Sequence, residues 1–582
     1  MAMPNLHRFL TGSREKSPKS TAIFWLTLTL TFAAVYGILV LNQAFSTDYV
    51  VQDDARQHVF WMQRFIDPEL FPNDWIADYF QSVAPAGYTA LYWIVAKLGV
   101  SPMLLHKLLP PVLGLIMTGF CFGITMELLP VPVAGFISGL LLNHYIWMRD
   151  DVVSATPVAF VYPLFTGFIY YLLQRKLWQT GVFVALMGLF YPQCLLVAIC
   201  ILILQVLRIV DWRLHWKQPG AVYQFYGSLF GVAAIVIIAY LFKSDNYGPV
   251  ISAAEAQTLP EFLTRGKSEF FTPDWGDFWF TGQRSGLMPR FATTSPLILG
   301  GILPILLWFR RVFPLSVEMK QAGILVEIIL ASLGMFFLAH LLLFDLHLPS
   351  RYTEHTLRIV SAIAAGITLA LLMDALLIWG ENINRQTVTR VGCCLILATL
   401  ILEPLWLKRF PRTDYQFGQF PALYEFFAQQ PKDIKIASIT EEVNNLPSFS
   451  QRSILMGNEG YGVPYHQGYY GEIRERSINL IHAHYSPNLD EVEQFITEYD
   501  IDFWLIEEGT FTVPYLENDR WIMQYQPEAS QAIAQLEEGI PPALATVRDR
   551  CTVFRTHQFA VLDSICIFTF KSSPGVEGKS LG

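Results

Sequence analysis

Charged residues are scarce in this sequence. They make up 15% of its 582 residues, whereas a soluble protein of this length carries about a quarter. Hydrophobic residues make up 53%, and they are concentrated in runs long enough to cross about 30 Å of hydrocarbon. The net charge of −9 gives no reason to expect nucleic-acid binding. The composition therefore predicts a polytopic α-helical membrane protein.

Cysteine is also sparse, with seven residues spread too widely for a metal-binding framework. Five of them lie in apolar runs, where a thiol behaves as a small hydrophobic group. Cys551 and Cys566 lie in more polar sequence near the end of the chain. We expect these two to form a disulfide, provided that this region lies outside the cytoplasm.

Two further signals are missing. There is no glycine-rich phosphate loop between a strand and a helix, so a nucleotide-binding role has no support. There is also no internal repeat, which disfavours the inverted-repeat transporter folds. Ionisable residues are scarce inside the predicted helices, whereas ion-coupled carriers usually place charges near the midplane of the membrane.

Eleven apolar runs predict membrane helices. They are 21–41, 103–127, 131–148, 156–173, 181–191, 192–210, 222–242, 295–309, 322–344, 355–379 and 390–406. The two runs around residue 191 could instead be one kinked helix or a re-entrant pair. Residues 88–98 are apolar but too short to span, and they predict an interfacial helix.

Basic residues assign the sides of the membrane. If every run crosses once, the basic clusters all fall on one side, which the positive-inside tendency makes the cytoplasmic one. These residues are Arg8, Arg14, Lys16, Lys19, Arg175, Lys176, Arg208, Arg213, Lys217, Arg310, Arg311, Lys320, Arg385 and Arg390. We therefore expect a multi-pass protein of a bacterial plasma membrane, with a cytoplasmic N-terminus and an extracytoplasmic C-terminal domain.

This topology predicts two domains. Residues 1–407 form the transmembrane domain, with a large first outer loop at 42–87 and another outer loop at 243–294. Residues 408–582 have a soluble composition. Predicted strands near 433–439, 452–456 and 501–506, with a helix at 490–499, indicate a small α/β domain outside the membrane.

Asp53 and Asp54 stand where the chain leaves the first apolar run. Apolar residues recur at helical spacing over 55–66, which predicts an amphipathic helix lying in the interface. One of the two carboxylates could be the N-cap of that helix. Capping needs only one of them, and a carboxylate at the positive end of a helix stays ionised, as a base or a metal ligand must.

Two other outer segments carry candidate residues. Asp150 and Asp151 form a second acidic pair, which is either a solvated turn or a pair of ligands for a hard divalent cation. Arg351 lies on the outer side, against the positive-inside tendency, with Tyr352, Glu354 and His355 beside it. It is either an interfacial arginine that extends toward water or a clamp for a phosphate at membrane depth.

The layout resembles the GT-C class of membrane glycosyltransferases. That class includes the oligosaccharyltransferase catalytic subunits, the protein O-mannosyltransferases and the bacterial lipid A aminoarabinose transferases. The resemblance is carried by an acidic motif after the first helix, a second acidic motif, many crossings and an outer C-terminal domain. The residues at the two motif positions are Gln52-Asp53-Asp54-Ala55-Arg56-Gln57-His58 and Asp150-Asp151.

The resemblance implies an activity. Members transfer a sugar, with inversion, from a polyprenyl-phosphate carrier in the membrane to an acceptor on its outer side. That acceptor would be a glycan, a lipid or a protein. The tail has no WWD-type motif like that of the oligosaccharyltransferases, which disfavours transfer to asparagine in proteins.

The resemblance also implies residue roles. Asp53 or Asp54 would be the catalytic base that removes the acceptor proton, and Asp53 is slightly favoured. Asp150 and Asp151 would bind a divalent cation, Mg²⁺ or Mn²⁺, if one is used. The substrate-binding residues would be Arg351, Tyr352, His355, Arg56 and His58.

Two other functions are compatible with the sequence. One is a transporter or flippase for a lipid-linked or other amphiphilic substrate, which needs a polar path across the membrane. The other is a membrane scaffold without catalytic activity, in which the acidic pairs would have no effect on turnover.

Overall fold

The computed structural model describes residues 3–12, 19–210, 213–216, 221–241, 246–288, 296–458 and 460–570. Three of the basic residues used to assign sides lie outside these ranges, as do parts of the second outer loop and the last residues of the tail. They are Arg14, Lys16, Lys217 and residues 243–245, 289–294 and 571–582.

The first 407 residues are mostly helical. The helices there are α1 (Met3–Thr11), α2 (Lys19–Ala44), α3 (Ala55–His58), α4 (Trp75–Val83), α5 (Ala86–Lys97), α6 (Pro102–Leu128), α7 (Pro132–Ile146), α8 (Val161–Leu173), α9 (Leu177–Phe190), α10 (Pro192–Val206), α11 (Ala221–Leu241), α12 (Ala253–Ala256), α13 (Leu303–Trp308), α14 (Gly323–Leu341), α15 (Glu354–Trp379) and α16 (Gln386–Trp406). The strands there are β1 (Val50–Gln52), β2 (Leu207–Val210) and β3 (Arg213–Trp216).

Six helical segments in the described part of the chain are long and apolar enough to cross a membrane. They are Lys19–Ala44, Pro102–Leu128, Tyr223–Tyr240, Gly323–Leu341, Pro349–Trp379 and Gln386–Trp406. Shorter apolar helices are Pro132–Ile146, Pro157–Leu173, Leu177–Phe190, Pro192–Val206 and Pro296–Trp308. Each predicted apolar run coincides with one of these segments, and the chain is a multi-pass membrane protein. That every one of them crosses stays a prediction.

Helix α15 is the centre of the bundle, because most of its side chains are buried and α7 packs along it. The contact is close at Gly366. A Cβ atom built there would lie 2.6 Å from the backbone nitrogen of Ser138 on α7. Small residues at such a crossing let two membrane helices approach and gain packing contacts.

The chain after α16 forms a mixed sheet with helices around it. Its strands are β4 (Tyr415–Phe417), β5 (Lys435–Ala437), β6 (Ser453–Ile454), β7 (Phe503–Glu507), β8 (Thr552–Arg555) and β9 (Phe559–Asp563). Its helices are α17 (Pro421–Ala428), α18 (Leu446–Phe449), α19 (Gln467–Tyr485), α20 (Leu489–Tyr499), α21 (Val513–Asn518), α22 (Arg520–Met523), α23 (Glu528–Glu537), α24 (Ala543–Cys551) and α25 (Ser564–Phe570). The predicted strands and the predicted helix at 490–499 are all present.

The five-stranded sheet has the order β6-β5-β7-β9-β8. Strand β5 is parallel to β6 and β7, whereas β9 is antiparallel to both of its neighbours. Because side chains alternate along a strand, Leu505 packs in the core that continues into the membrane helices, and Trp504 and Ile506 pack in a second core. One face of the sheet thus belongs to a core that is continuous with the core of the membrane helices.

Strand β1 pairs antiparallel with β4, with Val50 opposite Phe417. The first outer loop is therefore joined to the segment that follows the last membrane helix. The amphipathic helix predicted over 55–66 is wrong in form. The chain makes the short helix α3 and then a 3₁₀ helix, Phe60–Phe65. Phe60 packs edge-on against Phe71 of the same loop and against Tyr461. This segment is therefore buried between the first loop and the region after α16.

The predicted disulfide is present between Cys551, at the end of α24, and Cys566, in α25. We expect tryptic peptides containing the two cysteines to be linked in protein purified without reductant, because both lie in the region predicted to be outside the cytoplasm. Mass spectrometry after alkylation, with and without prior reduction, tests this. Alkylation of both cysteines before reduction would contradict the pairing, and buried Cys121 provides an unpaired control.

Candidate active site

The backbone around the first acidic motif is held by bonds that do not use the aspartate side chains. The Asp53 N–H donates to the Asp414 carbonyl oxygen at 3.2 Å. The Ala55 N–H donates to Gln52 Oε1 at 3.3 Å. Asp54 stands at the start of α3 with helical backbone angles, and its carboxylate makes no capping bond to the described residues of that helix. The capping hypothesis is therefore wrong for Asp54, and Gln52 caps instead.

Asp53 is part of an ion pair through which the first acidic loop is bound to the region after α16. The Arg56 guanidinium, which is buried, donates Nη2 to Asp53 and donates Nη1 to Asn445 Oδ1 at 3.0 Å. Asn445 in turn donates to Glu442 Oε1 at 2.9 Å. The Asp53 carboxylate is thus engaged by a neighbouring cation and serves to position the loop.

The second acidic pair lies in the turn between α7 and α8. The Asp150 carbonyl accepts from the Ser154 N–H at 2.9 Å, and the Trp147 carbonyl accepts from the Arg412 N–H at 2.8 Å. Residues that follow α16 therefore cover this turn, as they cover the first motif.

Asp151 is buried and strongly bound. Its Oδ2 accepts from Tyr162 Oη at 2.9 Å and from Arg358 Nη1 at 2.6 Å. His355 Nδ1 lies 3.1 Å from Tyr162 Oη. Arg358 is 1% exposed and also donates to Glu354. One buried guanidinium on α15 thus neutralises two buried carboxylates.

Arg351 is the more accessible cation of this face. Its side chain is 31% exposed, and its Nη1 lies 3.5 Å from Glu354 Oε2. Residues 351, 354 and 358 are three and four positions apart, so they share one face at the start of α15. By contrast, Tyr352 is buried and its hydroxyl donates to the Leu346 carbonyl at 2.8 Å, which holds the turn.

The carboxylates of the two motifs influence each other electrostatically. Burial, together with the charges of Asp150 and Asp53, raises the pKa of Asp54 to about 7. Burial and the charge of Asp151 raise the pKa of Asp150 to about 6. Burial alone would also raise the pKa of Asp151, but Arg358, His355 and Arg351 hold it well below its usual range. Asp54, Asp150, Asp151 and Arg351 therefore form one electrostatic cluster.

This cluster, defined by those four residues, lies at one end of the bundle. Helices α2 and α7 end there, and α8, α10 and α15 begin there. The two other predicted binding residues of the first loop have other partners. His58 packs edge-on against Phe80, and burial lowers the pKa of its imidazole to about 4. Arg56 is engaged with Asp53, as described above.

The sequence analysis missed Arg358 and Tyr162, and it noted Glu354 beside Arg351 without assigning it a role. A usable signal was present, because two arginines and a glutamate recur at helical spacing where a long apolar run begins. The predicted cation site is not formed as a cluster. Within the described ranges, no group of three or more His, Cys, Asp or Glu side chains could hold a metal ion. Asp151 is also engaged with Arg358.

The described fold is that of a multi-pass membrane protein whose acidic loops meet a mixed sheet at one end of the helices. Comparison of the sequence with protein-family models and with curated proteins found no match.

Solved structures with the same fold do exist. The archaeal oligosaccharyltransferase AglB from Archaeoglobus fulgidus, in complex with an inhibitory peptide and a dolichol-phosphate, matches 87% of this chain and 72% of its own. The TM-score is 0.52 and the sequence identity is 11%. The apo form of the Archaeoglobus fulgidus oligosaccharyltransferase matches the same shares at 12% identity, with a TM-score of 0.49. The GT-C resemblance is thus confirmed at the level of the fold.

The buried guanidinium gives a stability prediction. Arg358→Met removes the cation that neutralises the buried carboxylates of Asp151 and Glu354. Removing one partner of a buried ion pair lowers the free energy of unfolding by about 3–5 kcal/mol. We expect a clear fall in the Tm of the detergent-purified protein. Arg351→Met is the matched control, and it should cost about 1 kcal/mol or less because that side chain is partly exposed. Equal Tm values for the two variants would contradict this assignment.

Proposed function

We propose that this protein is a glycosyltransferase that moves a sugar from a polyprenyl-phosphate-linked donor to an acceptor on the outer side of the membrane, with inversion at the anomeric carbon. The observation that carries the proposal is the meeting of Asp54, Asp150, Asp151 and Arg351 at one end of a GT-C-type bundle. A lipid phosphate lies at headgroup level while its sugar projects outward, so a base and a phosphate-binding cation are needed at that end.

We assign the base to Asp54. Asp53 is engaged by Arg56, whereas Asp54 experiences the charges of Asp150 and Arg351. A base works best when its pKa is near the operating pH, and the pKa of Asp54 is raised to about 7. The ion pair of Asp53 and the raised pKa of Asp54 favour Asp54 as the base, whereas the sequence alone slightly favoured Asp53.

The reaction then needs two groups of this chain. Asp54 takes the proton of the acceptor hydroxyl while its oxygen bonds to the anomeric carbon. The bond from that carbon to the phosphate oxygen breaks, and the lipid phosphate departs. Arg351, being partly exposed, is placed to offset the charge that develops on this phosphate. Arg358 keeps Asp151 ionised and buried, so its role is positioning.

The residues present do not fit the Mg²⁺ or Mn²⁺ ion that the resemblance allowed. Asp151 is bound by Arg358, Asp54 is assigned as the base, and no group of three or more candidate ligands lies within the described ranges. No step of the proposed reaction therefore uses a divalent cation.

The proposed orientation follows the basic loops, with a cytoplasmic N-terminus and the C-terminal region outside a bacterial plasma membrane. The flippase alternative gains no support from the fold neighbours, which are oligosaccharyltransferases.

Paired substitutions separate the two aspartates. Asp54→Asn should lower the rate of sugar transfer by about 10²–10⁴-fold, which is the usual contribution of a general base. Asp53→Asn should lower it less, because that carboxylate positions the loop through Arg56. Transfer from radiolabelled polyprenyl-phosphate sugar in membranes measures both, with membrane insertion as the control. Undiminished turnover by Asp54→Asn would contradict the proposal.

The pH dependence follows from the raised pKa of Asp54. The base must be ionised, so we expect kcat/KM to rise with pH up to about 7 and then level off, with about tenfold loss per unit well below the pKa. Asp150→Asn removes one charge that raises the pKa of Asp54, so the midpoint should move to lower pH. A pH profile of residual transfer measures this, and a midpoint that moves upward would contradict the assignment.

A further inference from the structure

A large cleft lies beside the first acidic motif, and none of the four residues of the cluster is part of its lining. Its volume is about 1050 Å³, at the upper end of the range of about 300–1,000 Å³ that small-molecule pockets occupy. Three parts of the chain line it. They are Arg56 of the first outer loop, residues 265–267 of the second outer loop and the region after α16. The cleft is therefore large enough for a ligand of several rings.

The lining is polar and its charges balance. Of the 22 lining residues, seven carry a carboxamide, and these are Gln416, Gln419, Asn445, Asn458, Asn518, Gln524 and Gln558. Four are acidic and four are basic, namely Glu441, Glu442, Glu507, Asp519, Arg56, Arg265, Lys267 and Arg520. Equal numbers of opposite charges favour a neutral ligand over a phosphate or another strongly charged one.

Carboxamides and carboxylates suit a ligand rich in hydroxyl groups. A hydroxyl both donates and accepts hydrogen bonds, a carboxamide does the same, and a carboxylate accepts. The cleft also has five aromatic residues, whose faces can pack on the apolar faces of sugar rings. They are Phe417, Phe420, Tyr515, Trp521 and Phe559.

Some of these polar groups are already held in place. Glu507 accepts from Tyr515 Oη at 3.0 Å and from Gln558 Nε2 at 2.8 Å. Glu442 accepts from Tyr424 Oη at 2.5 Å and from Asn445. Side chains fixed in this way lose little rotamer freedom when a ligand binds, which favours affinity.

The cleft is connected to the first acidic motif. Arg56 belongs to its lining, bonds Asn445 of the same lining, and holds Asp53, which is adjacent to Asp54. A ligand in the cleft would therefore lie against the arginine that positions the loop of the proposed base.

We infer that this cleft binds the acceptor and that the acceptor is a neutral oligosaccharide; the identification of the ligand as an acceptor rests on the proposed function. Carboxamide, carboxylate and aromatic side chains together match the hydroxyl groups and the ring faces of a saccharide. A lipid acceptor would need an apolar lining. The chemistry of the cleft thus selects a saccharide.

Saturation-transfer NMR on the full-length protein in detergent tests whether the cleft binds a saccharide. The probes are maltotriose, mannotriose and chitotriose, and a neutral peptide of similar mass is the alternative ligand. We expect at least one trisaccharide to bind, and Glu507→Gln and Gln524→Ala each to weaken binding by about tenfold. Glu517→Gln is the matched control, because Glu517 is exposed on the same segment and is not part of the lining. It should bind as the wild type does.

The proposal is overturned if no trisaccharide binds at millimolar concentration, if only the peptide binds, or if the cleft variants and the control bind equally. Asp54→Asn separates this result from the proposed reaction. It should keep trisaccharide binding while it loses sugar transfer. If Asp54→Asn still transfers sugar, the reaction assignment fails whatever the cleft binds.

Discussion

The arrangement of the cluster depends on one buried cation. Arg358 lies at the start of the central helix α15 and neutralises Asp151 and Glu354, and all three are largely removed from water. Charges buried without partners would cost several kcal/mol each. Because Arg358 satisfies both carboxylates, Arg351, seven positions earlier, remains partly exposed. Asp150 and Asp54 lack the compensation that Arg358 gives to Asp151. The unequal distribution of positive charge gives neighbouring aspartates different protonation behaviour.

A second network joins the outer region to the first motif. Hydrogen bonds run from Tyr424 through Glu442 and Asn445 to Arg56, which holds Asp53. Three residues of this network, Glu442, Asn445 and Arg56, also line the polar cleft. The side chains that position the acidic loop are thus shared with the inferred ligand site. A substitution among them would change both the position of the loop and the binding of a ligand.

Much of this architecture was predictable from the sequence. Apolar runs located the helices, and the short strands near 433–439 and 501–506 appeared where their β-branched and aromatic residues placed them. Asp54, Asp150 and Arg351 were predicted on one face from topology. Spatial partners could not be predicted, because Arg358 meets Asp151 across 207 positions of the chain. Tertiary burial also replaced the expected amphipathic helix after Ala55, and a Gln52 side chain took the cap expected from an aspartate.

The pairing of β1 with β4 has a consequence for biosynthesis. Val50 is made early and its partner Phe417 only after the whole membrane bundle. Strand β1, which precedes the acidic motif, therefore cannot pair with β4 until every intervening helix has been synthesised. Contacts this distant in sequence form late and slowly. A ribosome-bound or truncated chain that ends at α16 would hold both acidic pairs but not the strand pairing that orients the first.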